Sequence, residues 1–82
     1  MKITSPDTLA QALKNARKEK ALTQQDISAR IGVKQTTVSS FENHPERTRV
    51  ETLFKLLAAL NLELSVVERG RSERGETWDE EW

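Results

Sequence analysis

The stretch TQQDISARIGVKQTTVSSFEN, residues 23–43, decides the fold of this chain. Thr23 and Asp26 have the spacing of a capping box, in which a hydroxyl and a carboxylate satisfy the free amides at a helix start. Ile27 and Ile31 follow four residues apart, so they lie on one face of a helix. The first half of the stretch is therefore predicted to be a short amphipathic helix.

The second half of the stretch predicts a tight turn and another short helix. Gly32 falls where the first pattern ends, and glycine accepts the positive φ that closes many helices. Val38 and Phe41 then place apolar side chains three residues apart on one helical face. Two short helices joined by a glycine turn form a helix-turn-helix, whose second helix enters the major groove of DNA.

The predicted second helix has an exposed face that suits DNA. With Val38 and Phe41 turned inward, the outward and flanking side chains are small or hydrogen-bonding, and none is acidic. Donor and acceptor geometry makes Lys34 a candidate for guanine and Gln35 for adenine, with Thr36 and Ser39 as further base contacts. The candidates for the DNA backbone are Thr37, Ser40, Asn43 and, from the following loop, Arg49. An ordinary solvated helix face is the alternative.

A family resemblance rests on these same residues. Gln24, Gly32, Val33 and the run 34–43 resemble the phage-repressor (XRE-type) helix-turn-helix, over about residues 9–60. The whole chain is similar to the HipB-type antitoxins of HipA kinase toxins, through segment 62–69 and the final Glu81-Trp82.

The resemblance implies roles for further residues. Arg17 and Glu42 match a buried pair between the first helix and the recognition helix, and Gln24 matches a glutamine that contacts a phosphate and braces that helix. Trp82, with Glu81 beside it, matches a terminal tryptophan that binds a groove on the kinase toxin. Tryptophan is typical of anchors in a partner's pocket. The alternative is that the tail packs on its own domain or covers the basic DNA face.

The charge is unevenly distributed. The 82 residues contain 13 Lys and Arg and 13 Asp and Glu, for a net charge of zero. Residues 1–69 contain 11 basic and 8 acidic side chains, a net of +3, and residues 70–82 contain 2 and 5, a net of −3. The predicted DNA-binding part is therefore mildly basic, which favours a nucleic-acid partner weakly, and a dimer would double its charge.

The rest of the chain predicts an all-α domain of four to five helices with one strand. Ser5 and Pro6 open the first helix, and Thr48 with Glu51 has capping-box spacing before the most apolar helix. Leu62, Leu64 and Val66 alternate with other residues as in a half-buried strand. A lone strand leaves its backbone unpaired, so we expect it to pair across a homodimer. A hairpin with Ile3 is the alternative.

Three segments are expected. They are a helix-turn-helix domain at 1–61, a dimerisation strand at 62–69 and a disordered acidic tail at 70–82, whose composition lacks an apolar pattern. The length suits one small domain. No cysteine, signal-like segment or membrane-length apolar run occurs, so a cytoplasmic location and no membrane contact are expected.

The predicted function is a DNA-binding antitoxin that represses its own operon at a palindromic operator and neutralises a HipA-type Ser/Thr kinase. A stand-alone repressor shares every helix-turn-helix feature, and a protein-only adaptor with a relict motif is a third hypothesis. We expect no enzyme activity and no cofactor, because the sequence lacks a phosphate-binding glycine loop, a histidine paired to a nucleophile and a carboxylate pair with a visible site. We expect no metal, because the lone histidine, His44, has no cysteine or histidine partner.

Overall fold

The computed structural model describes residues 2–69. Four α-helices follow one another, and a short 3-10 helix at Pro45–Arg47 separates the third from the fourth. The α-helices are α1, Pro6–Glu19; α2, Gln24–Ile31; α3, Gln35–Asn43; and α4, Val50–Ala59. The predicted all-helical helix-turn-helix fold is confirmed, with α2 and α3 as its two helices.

Two helix starts have the caps that the sequence predicts. The Ser5 hydroxyl accepts a hydrogen bond from the Thr8 amide at 3.1 Å, with Pro6 in the first turn of α1. At α2, the Asp26 amide donates to the Thr23 hydroxyl at 3.0 Å, and the Thr23 amide donates to the Asp26 carboxylate at 2.8 Å. The capping box is therefore complete and fixes where α2 begins.

The capping box predicted at Thr48 and Glu51 is wrong. The residue that precedes α4 is Arg49, and no side-chain hydrogen bond caps this helix. The Thr48 amide donates to the Pro45 carbonyl at 3.0 Å. Thr48 thus closes the 3-10 turn, and the chain becomes helical only two residues later.

Three of the helices end in residues with a left-handed backbone. Ala21 follows α1 with φ of 58°, Gly32 follows α2 with φ of 71°, and Asn61 follows α4 with φ of 59°. After α1 the Leu22 amide reaches back to the Arg17 carbonyl at 3.0 Å, which is a Schellman closure. These turns reverse the chain within a few residues and keep the helices adjacent.

The core joins all four α-helices. α3 packs against α1 and α2, and α2 also packs against α4. The exposed fraction of each core side chain is below 5%, and the members are Ala10, Leu13, Ile27, Val38, Phe41, Leu56, Leu57 and Leu60. Because Val38 and Phe41 hold the inner face of α3, its opposite face is fixed toward solvent.

The segment after α4 does not form the predicted strand within one chain. Residues 62–68 have no regular secondary structure, and every residue of 61–69 is exposed. The segment runs beside residues 2–4, with a groove of about 600 Å³ between them. No strand ladder joins the two segments in the described part of the chain, so the hairpin with Ile3 is not formed either.

The predicted tail, residues 70–82 with Glu81 and Trp82, lies outside the described residues. Between residues 2 and 69, no helix has both the length and the apolar character required to cross a bilayer.

Candidate nucleic-acid interface

The outer face of α3 presents the polar side chains that the sequence placed there. Gln35, Thr36, Ser40 and Asn43 are exposed, while the flanking residues Thr37 and Ser39 are partly buried. The nine-residue helix has one acidic side chain, Glu42, and that side chain is turned away from solvent, with 5% of it exposed. The exposed face of α3 therefore carries hydrogen-bonding groups without negative charge.

Lys34 immediately precedes α3 and caps it only with its backbone. Its side chain is exposed and makes no capping hydrogen bond, and its φ of −74° and ψ of 150° are extended. Ser, Thr, Asp or Asn would cap this helix better. The position therefore places an exposed cation at the N-terminal end of α3, which is the end that a recognition helix directs at base edges.

A bidentate ion pair fixes α3 to α1. The Arg17 Nε donates to the Glu42 Oε2 at 2.7 Å, and Nη2 donates to Oε1 at 3.1 Å. The third group, Nη1, donates to the Leu22 carbonyl at 2.7 Å, in the turn between α1 and α2. Side-chain exposure is 11% for Arg17 and 5% for Glu42, so both charges are largely removed from water. One guanidinium thus joins α1, the turn and α3.

The Glu42 carboxylate is held in its charged form. Burial by itself raises the pKa of Glu42, but hydrogen bonds from Arg17 and Gln24 and the charges of Arg17 and Lys14 outweigh it, so the pKa lies below its ordinary value. A buried carboxylate with two donors and an opposite charge is compensated. Its negative charge is therefore neutralised locally and is not presented to a polyanion.

Gln24 connects the start of α2 to the same carboxylate. Its Nε2 donates to the Glu42 Oε1 at 2.9 Å, and its side chain is partly buried. An amide has two N–H donors, so one remains for another acceptor. The structure thus brings Gln24 against the recognition helix, in the bracing position that the resemblance implies.

Two other predicted residues lie at the edges of the face. Asn43, the last residue of α3, donates from Nδ2 to the Ser39 hydroxyl at 3.2 Å. Arg49 precedes α4 and is exposed, and no hydrogen bond or ion pair joins its side chain to α3 in the described part of the chain. The structure therefore groups the α3 candidates with Gln24 and leaves Arg49 apart.

The sequence did not reveal two members of the site. One is the Leu22 carbonyl, the third partner of Arg17, which depends on the turn after α1 and has no side-chain pattern. The other is Lys14, whose charge acts on Glu42. Lys14 precedes Arg17 by three residues, so helical spacing puts the two on one side of α1 and could have indicated this neighbour.

The described residues hold no evident centre for metal chemistry. Among residues 2–69, no three histidine, aspartate or glutamate side chains lie close enough together to hold a metal ion. The lone histidine, His44, is exposed and lies 3.9 Å from Glu46.

Comparison with known proteins agrees with this geometry. The Helix-turn-helix family model matches residues 13–67, which include α2, the turn and α3. Antitoxin HipB of Escherichia coli O6:H1 (strain CFT073) is 40% identical over 83 residues, covering 99% of this chain and 88% of that protein.

Solved structures give the same result. A HipA-HipB-O2-O3 complex contains a chain that is 40% identical, with a TM-score of 0.82 over 84% of this chain and 97% of that one. A HipB-O4 20mer complex matches with the same identity, TM-score and coverage of this chain. The chain therefore belongs to the helix-turn-helix family and, within it, to the HipB antitoxins.

Proposed function

We propose that this protein is a sequence-specific DNA-binding antitoxin that represses its own operon and neutralises a HipA-type Ser/Thr kinase. One observation of the structure carries the DNA part: the only acid of α3 is locked by Arg17 and Gln24, and the exposed face carries neutral hydrogen-bonding groups. Membership of the HipB family supports both parts, since its relatives are solved as a HipA-HipB-O2-O3 complex and as a HipB-O4 20mer complex.

In the proposed complex, the N-terminal end of α3 contacts base edges. Lys34 donates to guanine and Gln35 makes two hydrogen bonds to adenine, with Thr36 and Ser39 as further base contacts. The phosphate contacts come from Gln24, Thr37, Ser40, Asn43 and Arg49. Gln24 has a specific advantage here, because one of its N–H groups holds Glu42 while the other is left for a phosphate.

A homodimer completes the proposal. Two copies of α3 would lie about 34 Å apart, one turn of DNA, on a palindromic operator. α4 leaves Val50 and Phe54 66% and 54% exposed, four residues apart on one face, and Val66 is 92% exposed. Apolar side chains in such numbers are typical of an interface. Residues 1–61 would bind DNA, and 62–69 would become a strand when paired with the same segment of a second copy.

The kinase contact is assigned to the tail. Residues 70–82 contain both tryptophans of the chain, and Trp82 with Glu81 would bind the toxin. The protein would act in the cytoplasm, by binding alone and without catalysis of its own.

The DNA part is tested with Gln35→Ala. This variant should bind the operator more weakly and random-sequence DNA as tightly as wild type, because Gln35 contacts bases rather than phosphates. Gln11→Ala, which removes an exposed glutamine from α1, is the matched control. Equal loss on both DNAs would remove Gln35 from base recognition.

The toxin part is tested by a pull-down from native lysate with N-terminally tagged protein. Wild type should retain a kinase of the HipA type, Trp82→Ala should retain less, and Trp78→Ala should match wild type. Equal retention by all three would move the contact onto residues 1–69. Operator binding without any retained kinase would make the protein a stand-alone repressor.

A further inference from the structure

Two polar side chains on the outer face of α3 are coupled to each other. Asn43 and Ser39 are one helical turn apart, and the Asn43 Nδ2 donates to the Ser39 Oγ at 3.2 Å. The bond lies at the surface in the free protein, where water weakens it. Once DNA covers the face and removes water, the same bond becomes stronger.

This hydrogen bond determines whether the Ser39 hydroxyl is available as a donor or as an acceptor. A serine hydroxyl has one proton and two lone pairs. Accepting from Asn43 occupies a lone pair and leaves the proton for another partner. Serines in helices often give that proton to a backbone carbonyl, as Ser28 does to the Gln25 carbonyl at 2.8 Å. Within residues 2–69 the Ser39 hydroxyl has no hydrogen bond except the one from Asn43.

Resting on the proposed DNA-binding function, we infer that Asn43 is a positioning residue that makes Ser39 a hydrogen-bond donor toward the operator. Serine alone can bind either a donor or an acceptor on a base edge. With one of its two lone pairs engaged by Asn43 and its proton unused, Ser39 favours an acceptor, such as the N7 or O6 of guanine, the N7 of adenine or the O4 of thymine. Asn43 then contributes to sequence specificity through Ser39, in addition to any phosphate contact of its own.

A double-mutant cycle tests this coupling. The probe is the duplex that wild-type protein selects from a random-sequence library. Ser39→Ala and Asn43→Ala should each weaken binding to it about five-fold, the size of one hydrogen bond. The double variant should bind the selected duplex about five-fold more tightly than two independent losses would predict, and any affinity that Asn43→Ala loses on unselected DNA through its phosphate contact should be the same with and without the Ser39 hydroxyl.

Asn43→Asp gives an independent measurement. A carboxylate only accepts, so it takes the Ser39 proton and removes the donor from the DNA. The negative charge introduced by Asn43→Asp also repels phosphates, but that repulsion is the same with and without the Ser39 hydroxyl. The loss of affinity for the selected duplex caused by Asn43→Asp should therefore be several-fold larger in the wild-type background than in the Ser39→Ala background.

Three results would overturn the inference. Equal losses for Asn43→Ala with and without the Ser39 hydroxyl would show that the two residues act independently. An affinity loss on Asn43→Ala that is equal for selected and unselected DNA would make Asn43 a phosphate contact only. A wild-type protein that selects no duplex would overturn the proposed function and this inference together. Thermal melting of each variant by circular dichroism checks that the fold is intact, since both side chains lie near the surface.

Discussion

At the scale of single residues, Glu42 is the most constrained side chain of the candidate interface. It lies on the helix that is proposed to contact a polyanion, yet its carboxylate accepts hydrogen bonds from Arg17 and Gln24 and is almost fully buried. Removing two charges from water costs free energy that good geometry only just offsets. The pair is therefore better understood as a device that sets the position of α3 than as a source of stability.

Breaking the pair from one side should be costly. Arg17→Met leaves the Glu42 charge buried without its partner and the Leu22 carbonyl without a donor. We expect a loss of about 3 kcal/mol in the free energy of unfolding, or a fall of roughly 15 °C in Tm. Urea denaturation followed by circular dichroism measures the loss.

Two further variants make the result specific to the pair. Lys18→Met removes a neighbouring exposed cation and should change stability by less than about 0.5 kcal/mol. Arg17→Met combined with Glu42→Met removes both charges and should recover much of the loss. If the double variant is no more stable than Arg17→Met, the cost does not come from the unpaired carboxylate.

The pH dependence of stability follows from the lowered pKa of Glu42. The folded-state pKa lies below the ordinary value of 4.5, so as pH falls the unfolded chain binds this proton first. The stabilisation is thus complete above about pH 4.5 and is lost as pH falls through the folded-state pKa. Wild type should exceed Glu42→Gln in free energy of unfolding by a constant amount near neutral pH, and the difference should shrink below pH 4.5.

Urea denaturation from pH 7 to pH 3 measures that difference. The pKa of Asp26 is also lowered, chiefly by the hydrogen bond from the Thr23 amide and then by the hydrogen bond with the Thr23 hydroxyl. Asp26 titrates in both proteins, so its effect cancels. A difference that stays constant down to pH 3 would contradict the assignment to Glu42.

At the scale of secondary-structure elements, the helix ends decide how α1, α2 and α4 are connected. Each is followed by a left-handed residue, but the three residues suit that backbone unequally. Glycine at 32 adopts it without strain, asparagine at 61 adopts it moderately well, and alanine at 21 is strained. The turn after α1 is therefore one of the places where this sequence is not optimal for its own fold.

Substitutions at two of these turns, Ala21→Gly and Gly32→Ala, should change the free energy of unfolding in opposite directions. Ala21→Gly relieves a positive φ and should raise the free energy of unfolding by about 0.5 kcal/mol. Gly32→Ala should lower it by about 1 kcal/mol. A Cβ at Gly32 would meet no heavy atom within 4 Å, so this loss reports the backbone alone. Urea denaturation of both variants measures the sign of each change in the free energy of unfolding.

The control is Ala29→Gly, an exposed position inside α2. It should destabilise by about 1 kcal/mol, because glycine is unfavourable within a helix. Destabilisation by Ala21→Gly as well would show that the turn after α1 is unstrained.

The helix ends also show how far the sequence alone could predict the fold. Gly32 and the Thr23–Asp26 box were predictable because their patterns are local and specific to residue type. Ala21 was not predictable, since alanine has no preference for a left-handed turn. The capping box predicted at Thr48 does not form because the Thr48 amide donates to the Pro45 carbonyl in the preceding 3-10 turn. The spacing of Thr48 and Glu51 gives no sign of that hydrogen bond.

The candidate site shows the same division between local and distant information. Periodicity placed the exposed side chains of α3 correctly, because Val38 and Phe41 fix its buried face. The contacts among Arg17, Glu42 and Gln24 bridge 18 to 25 residues of sequence, and their expectation came from a family resemblance. The contact of Arg17 with the Leu22 carbonyl and the hydrogen bond between Asn43 and Ser39 have no signature in the sequence and are seen only in the structure.

At the scale of the whole molecule, residues 2–69 leave large apolar side chains exposed in two main regions. One is the outer side of α4, and the other is the segment after it, where Leu64 and Val67 are 45% and 60% exposed. α4 already contributes Leu56 and Leu57 to the core. A strand at 62–69 also requires a partner for its backbone, which the described part of the chain does not provide. The proposed two-fold symmetric dimer would account for both features.

Phe54→Ala tests that explanation through the dissociation constant of the dimer. Phe54 exposes about half of its side chain, and burying that area contributes about 2 kcal/mol per subunit. Because each subunit of a two-fold dimer loses the contribution of its own Phe54, the total loss is doubled, and the dissociation constant should rise roughly a thousand-fold. Sedimentation velocity over a dilution series measures it, and Gln11→Ala, an exposed alanine substitution on α1, is the control. Because Phe54 is not in the core, the melting temperature of the monomer should change little. An unchanged dissociation constant would place the contact between copies elsewhere and leave segment 62–69 as the remaining candidate.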